Sequence, residues 1–426
     1  DEMKYWLSMP ALLWVAVAAA EPQVQVQVPL VLSEDLAMRW LQADPALQGA
    51  DSAFAAAKAE AGQTAASPYE WNATYTRQRR DYGSGPKSNE WNAGLERTFR
   101  LPGKVSADEA GAEAANTAAG AEHSLARRDA VEALLGAWLD LLGARSVKAL
   151  LAEQLQGAEQ SVEAVGKRVK SGDAAVLEQR LASAELSGVQ REASEVAIAE
   201  ATAWAMLSAR YPLGGDETPK QLPEPVAVTQ GAGWWQARIL SQSDRLLVAR
   251  AELARAEAGA ERAKADRIPD PTFGVFTGTE AYGEEKIVGL SVSMPIPGSR
   301  RSLELQKQLA GADQARQNLE LVERQLAGTA RSRYALALGN YERWKLTRSA
   351  AETLQDNARL AQRAYTLGEQ DLQALLLARR QALEAAEAQA NAQVDALRSY
   401  YGLLLDAKLL WPNWLNVPAE PLANLP

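Results

Sequence analysis

The sequence predicts a mainly helical α+β protomer made of two copies of one plan, each a β-hairpin continued by a very long helical hairpin. Three observations carry this. Strand-end motifs recur at a fixed distance: Leu101-Pro102-Gly103-Lys104 and Ile296-Pro297-Gly298-Ser299-Arg300 lie 195 residues apart. Glycines inside charged breaks, Gly172 and Gly368, lie 196 apart. Between these markers a seam repeats: Ala158, Val162, Val165 and Val169, spaced 4, 3 and 4, are answered 196 residues later by Leu354, Ala358, Ala361 and Tyr365. A long internal period is the mark of a repeated unit.

Composition excludes several classes. The chain has 426 residues, no cysteine, one histidine, 45 Lys+Arg and 54 Asp+Glu, a formal charge of −9. Without thiols there is no disulfide framework, thiolate metal site, cysteine nucleophile or cysteine to lipidate. One histidine does not support a His-rich metal site. The acidic balance argues against a nucleic-acid partner. Abundant Ala, Leu, Glu, Gln and Arg favour long, closely packed helices.

The elements follow in order. Residues 1–20, with Lys4, a short apolar run and Ala18-x-Ala20, read as a secretory signal peptide, too short to span a bilayer. Repeat 1 covers 21–232 and repeat 2 covers 233–426. Each opens with a helical stretch, at 33–66 and 233–266. A β-hairpin follows, at 68–101 and 270–296. A long helix is predicted over 104–170 and 299–367, turning at tips near 172 and 368. Shorter helices return over 173–211 and 369–409. At 1.5 Å per residue the long helices span roughly 100 Å, which demands coiled-coil partners. The run Leu151, Leu155, Ala158, Val162, Val165, Val169 has the 3.5-residue period of such a seam. The shorter stretches match in length if 33–66 stacks on 369–409 and 173–211 on 233–266, so two continuous and two composite helices would alternate. Pro- and Gly-rich segments at 212–232 and 411–426 read as irregular structure wrapped around the bundle at its equator.

The strands alternate. Tyr69, Trp71, Ala73 and Tyr75 interleave with Glu70, Asn72, Thr74 and Thr76; Trp91, Ala93 and Leu95 with Asn92, Gly94 and Glu96; Val288, Leu290, Val292 and Met294 with Gly289, Ser291 and Ser293. Strands of about 9–11 residues, apolar on one face and polar on the other, fit a membrane barrel. Trp71, Trp91, Phe99, Phe273 and Tyr282 are the candidate interfacial rings. Arg77, Arg79, Arg80 and Lys87 flank the first hairpin loop and read as outer-surface charges facing lipopolysaccharide phosphates, or as a solvated loop. Four strands cannot close a barrel, so further copies must complete the sheet. Three copies give twelve strands; physics alone does not choose three over two or four.

The leader, twofold repeat, hairpin-then-helix order, strand-end Pro-Gly motifs and glycine tips together resemble the TolC family of outer-membrane efflux channels across essentially the whole chain. The LPGK motif at 101–104, its echo IPGSRR at 296–301 and LARRQALEAAEAQ at 377–389 are similar to the heavy-metal, CzcC-like branch. The resemblance implies a homotrimer: a 12-strand transmembrane β-barrel in the outer membrane, continued by a long α-helical coiled-coil barrel in the periplasm. It implies a passive exit duct of a tripartite pump, with a periplasmic adapter and an inner-membrane RND transporter as partners and heavy-metal cations as cargo. It also places a gate at the helical tip. Tyr365 matches the family's gate tyrosine and Glu178 an acidic tip residue. Gln370 stands where some relatives carry a gate arginine, and Ala374 and Leu377 replace tip aspartates. Asp173, Glu369 and Asp371 would supply acidic rings instead, or act as helix-start charges favoured by the macrodipole. Gly172 and Gly368 would be the adapter-docking turns.

His123 reads as a packing or surface residue, and Gly166–Gly172 (GKRVKSG) lacks the P-loop spacing. No cofactor, resident metal or enzymatic activity is expected. The alternatives are a drug-efflux or type I secretion channel, a periplasmic adapter, and a coiled-coil structural protein without a pore.

Overall fold

A computed structural model describes residues 32–81, 83, 85–211 and 222–411. The leader predicted over 1–20, and the outer parts of both equatorial segments, lie outside the described residues. The chain order is α1 (Glu34–Gln42), α2 (Pro45–Ala65), β1 (Trp71–Arg80), β2 (Ser88–Thr98), α3 (Pro102–Ser171), α4 (Val176–Arg210), α5 (Ala232–Gln242), α6 (Asp244–Ala265), β3 (Thr272–Glu280), β4 (Glu285–Ser293), α7 (Ser299–Thr366) and α8 (Leu372–Asp406). The fold is mainly helical with one small antiparallel sheet, in agreement with the predicted class.

The long helices α3 and α7 hold 70 and 68 residues. Pro102 starts α3 at a position where its missing N–H costs nothing. Both helices end in the same way. Gly172 (φ 85°) and Gly368 (φ 76°) take the left-handed conformation, and the next residue's N–H reaches back five positions, Asp173 to Arg168 O at 2.8 Å and Glu369 to Ala364 O at 2.9 Å.

Each opening helical stretch is broken rather than continuous. Asp44 caps α2, accepting from the Ala46 N–H at 3.0 Å, with Pro45 at the first helical position. Ser243 caps α6, accepting from the Leu246 N–H at 3.3 Å. These caps sit inside apolar-periodic stretches, so periodicity alone runs through them.

The helices form one layer. α3 lies between α2 and α6 along its upper half and between α4 and α8 along its lower half; α7 packs on α6 and α8. Continuous and composite helices therefore alternate, but the stacking differs from the expected pairing. α4 ends beneath α2 of its own repeat, where Arg210 Nη2 meets Asp44 Oδ2 at 2.6 Å. α8 ends beneath α6, where Lys408 Nζ meets Asp244 Oδ1 at 2.7 Å. Length matching could not choose between partners, because the two returning helices are equally long; an acid at each helix start and a cation at each helix end decide it.

The main core lies at this level. Trp40 and Trp138 sit with ring centroids 5.3 Å apart among Leu134, Leu139, Leu397 and Leu404. The segment from 222 to 230 crosses outside: Gln393 of α8 donates to Pro223 O at 2.9 Å, and Arg348 of α7 pairs with Glu224 at 3.0 Å. Towards the tip the seam narrows to Leu151, Ala158 and Val165, all buried, with Val162 and Val169 partly so. Small knobs let neighbouring backbones approach along a thin wall.

Candidate functional site

Two regions hold the predicted site residues: the helical tip and the sheet. At the tip, Val165, Ala182, Leu372 and Leu375 form a small buried core, with Tyr365 packed against it. Arg168, one turn before the end of α3, donates from Nη1 to the Tyr365 hydroxyl of α7 at 2.7 Å, and its guanidinium lies 5.5 Å from the Tyr365 ring centre. The same side chain donates to Asp173 O at 3.3 Å and stands 3.9 Å from the Glu178 carboxylate. One arginine thus brings together Tyr365, Asp173 and Glu178.

Arg379 of α8 makes a second bridge just above. It donates to Ser161 Oγ of α3 at 2.8 Å and to Gln362 Oε1 of α7. Burial pulls its pKa below the ordinary arginine value, against the opposing field of Glu185 and Tyr365. Glu185 nearby is shifted upward by burial. Sequence reading missed both arginines. Arg168 lies within GKRVKSG, where a basic residue in the last turn of a helix looks like a solvated C-terminal charge. Its only sequence signal is its place on the seam side, three residues after Val165.

The remaining tip residues separate by role. Asp371 caps α8, its carboxylate accepting from the Ala374 N–H at 2.8 Å. Asp173 accepts from the Ser171 hydroxyl at 2.7 Å. Glu369 and Gln370 are exposed beside Gly368.

The sheet has the order β1-β2-β3-β4, all antiparallel. Its register sorts the side chains into rows. On one face, from the end nearest the helices outward, the rows are Trp71–Arg97–Phe273–Val292, Ala73–Leu95–Val275–Leu290, Tyr75–Ala93–Thr277–Val288 and Arg77–Trp91–Thr279–Lys286. Val288 and Leu290 are 84% and 81% exposed, so this apolar face is uncovered in the protomer. The opposite face carries Asn72, Thr74, Gln78, Arg80, Glu90, Glu96, Glu280 and Glu285 together with Gly94, Gly274, Gly278 and Gly289.

Trp71, Trp91 and Phe273 lie on the apolar face. Phe99, one residue past β2, packs edge-on to Phe273 at 5.8 Å, and the Arg97 guanidinium lies over Trp71 at 5.4 Å. Trp71 and Trp91 are six residues of strand apart, since Trp91 faces Arg77, which is roughly 20 Å. Tyr282 sits at φ 64° in the β3–β4 turn, and its hydroxyl donates to Pro86 O at 2.6 Å, tying the two loops together. Arg80 lies on the polar face, paired with Glu90 at 3.1 Å and Glu280 at 3.6 Å, and Lys87 pairs with Asp81 at 2.8 Å.

Sheet and helices are joined by a chain of charges. Lys104 is 1% exposed and holds Asp266 at 3.0 Å and Asp270 at 2.9 Å. Asp270 also accepts from the Tyr69 hydroxyl and the Leu101 N–H, each at 3.0 Å. Arg262 links Asp266 to Asp108 (2.6 Å), and Arg100 reaches Asp108 at 2.7 Å and Ala65 O at 2.8 Å. Burial works to raise the Asp266 and Asp270 carboxyls, but hydrogen bonds outweigh it and hold both below the usual range. His123, farther down α3, is buried with Nε2 2.5 Å from Asp51 and its ring on Phe54.

No family model and no curated protein matches the sequence. Solved structures match it well. The outer membrane protein VceC of Vibrio cholerae superposes with a TM-score of 0.73 at 20% identity, covering 91% of this chain and 96% of its own. The CmeC outer membrane channel of Campylobacter jejuni gives 0.73 at 16%, covering 88% and 84%. The MtrE outer membrane channel of Neisseria gonorrhoeae, in its open state, gives 0.66 at 16%, covering 88% of each. The folds it resembles are those of channels, not enzymes, and the chain has the fold of the TolC-type outer-membrane channels.

Proposed function

We propose that the protein is the outer-membrane exit duct of a tripartite efflux pump, working as a homotrimer with a periplasmic adapter and an inner-membrane RND transporter. One observation carries this: a sheet of four strands, apolar and uncovered on one face, polar on the other, open at both edges, and set on a helical layer with helices of 70 and 68 residues. Open edges do not persist in lipid, so β4 of one copy must pair with β1 of the next. The polar face then lines a lumen. Under this reading the protein sits in the bacterial outer membrane, reaches into the periplasm, and docks the adapter near the Gly172 and Gly368 turns.

The cargo we propose is heavy-metal cations. The polar sheet face carries Glu90, Glu96, Glu280 and Glu285 against Arg80 alone, so its field favours cations. The chain has no cysteine and one histidine, so it offers no thiolate or clustered-imidazole trap for a passing metal. The test is twofold. The protein should fractionate with the outer membrane and conduct in planar bilayers; a soluble or inner-membrane location sinks the duct reading. A deletion strain should become sensitive to zinc, cobalt, cadmium or copper; sensitivity to organic drugs alone replaces the metal cargo with drugs.

A further inference from the structure

We propose that Arg77, Arg79 and Lys286 form, at each seam between copies, a seat for the phosphate groups of an anionic lipid headgroup. The inference rests on the barrel reading, and it adds a ligand that reading does not supply. Arg77 and Lys286 occupy one row of the apolar face, on β1 and β4, the two edges of the sheet, with Trp91 between them. Arg79 lies one row further out on the same face. All three are exposed, and none of their side chains has an ion-pair or hydrogen-bond partner among the described residues. Arg80, next in sequence, points to the other face and is held by Glu90 and Glu280.

The apolar face bears no carboxylate in its four rows. Its cations avoid the middle: Arg97 lies in the row nearest the helices, over Trp71, and the other three lie at the far end. A charge on the lipid face is costly at mid-membrane and nearly free at the interface, so this distribution sets the far interface beside Trp91. Closing the sheet brings Lys286 of one copy to the β1 edge of the next. Neither edge holds the whole cluster, so the site is complete only in the assembly. Guanidinium groups bind phosphate oxygens in pairs, and the ammonium adds a point charge. A phosphorylated lipid headgroup satisfies both the cations and the apolar rows beneath them.

The test uses the assembled protein in non-ionic detergent, titrated with diphosphoryl lipid A and followed by native mass spectrometry. We expect up to three bound lipids per trimer. Each basic residue near a lipid surface contributes about fivefold in affinity, so replacing all three by Gln should weaken binding roughly a hundredfold. Arg77→Lys should retain most of it. Dephosphorylated lipid should not bind at these seats, and excess inorganic phosphate should not displace lipid A. If inorganic phosphate competes fully, the seat is for free phosphate and the proposal is wrong. If the triple variant assembles in the outer membrane and binds as wild type does, the seat is overturned while the barrel stands. If wild type is absent from the outer membrane, both fall. If the triple variant does not assemble, the single variants decide: about fivefold loss each supports the seat, and unchanged binding overturns it.

Discussion

Arg168 of α3 donates to the hydroxyl of Tyr365 on α7 at 2.7 Å, joining the tips of the two helical hairpins of one protomer. The gate tyrosine expected from the sequence therefore has a cationic partner, but the cation comes from α3 rather than from position 370, where Gln370 is exposed. Both partners sit near solvent, so the bond contributes only about 1 kcal/mol. That is enough to change a closed-to-open ratio about fivefold. Tyr365→Phe and Arg168→Ala should raise the open probability by similar factors, and the double variant should add little to either. Single-channel recording in planar bilayers checks this. Unchanged conductance in both variants means that this bond plays no part in gating, and additive effects would mean that the two residues act separately. In the same assay Gln370→Arg should lower the open probability if it supplies a further clamp.

Arg379 is the stronger tie. It is partly buried, and it bonds Ser161 and Gln362 on two different long helices. Removing it leaves Gln362 Oε1 without this donor in a partly desolvated place, while Ser161 keeps its bond to Gly157 O at 2.8 Å, at a cost of about 1–3 kcal/mol. Arg379→Ala should loosen the lower bundle more than Arg168→Ala does. Hydrogen exchange should show faster amide exchange around residues 158–165 and 358–365, with the core near Trp138 unchanged. Equal protection in both proteins would contradict the bridge.

The joint beneath the sheet depends on Lys104, fully buried against Asp266 and Asp270. Lys104→Ala leaves the buried Asp270 without its cation, while Asp266 keeps Arg262, at a cost of about 3–5 kcal/mol. Adding Asp270→Asn should recover part of the loss, since the neutral amide's oxygen still accepts from the Leu101 N–H while its NH2 donates to the Tyr69 hydroxyl. The carboxyls of Asp266 and Asp270 are held below their usual range in the folded protein. Their contribution is therefore complete above the unfolded carboxylate value of ~3.9 and fades as pH falls through the lower folded values. Melting of the detergent-solubilised protein followed against pH should show an acid-side loss of stability that is smaller in Asp270→Asn. An identical acid profile in that variant would remove Asp270 from the linkage.

What was legible in the sequence was whatever the backbone demands. Gly172 and Gly368 announce themselves because a left-handed helix end needs glycine, and their common offset exposes the repeat. The strand faces follow from period two, so Trp71, Trp91 and Phe273 land on the apolar side as read. What stayed hidden depends on tertiary choice. Asp44 and Ser243 cap helices inside periodic stretches. Arg80 and Arg79 are adjacent letters on opposite faces, and Arg80 is the one held by Glu90 and Glu280. Arg168 and Arg379 look like solvated helix charges until a second hairpin is set beside them. The stacking of α4 under α2 needs a contact between residues 210 and 44, which no local pattern encodes.

The polar face of the sheet makes one further demand, at Gly289. Its direct cross-strand partner is Phe276, the aromatic residue of that face. A Cβ built on Gly289 would lie 2.3 Å from Phe276 Cζ and 2.7 Å from Cε1, so the ring lies flat across the glycine. An aromatic laid over a glycine on an edge strand covers backbone that would otherwise face water and pins the register. Gly289→Ala must swing the ring off the wall into the lumen, costing about 1–3 kcal/mol as an overpacking substitution. Assembly should suffer as well, because β4 is the edge that pairs with the next copy. Gel mobility of unheated samples should show fewer heat-modifiable trimers for Gly289→Ala. Phe276→Ala combined with it should restore them, because the clash is gone although the cover is lost. By contrast, Gly94→Ala meets a Thr74 hydroxyl at 2.8 Å, which can rotate away, so its effect should be smaller. If Gly289→Ala assembles like wild type while Gly94→Ala does not, the ring is not what requires glycine at 289.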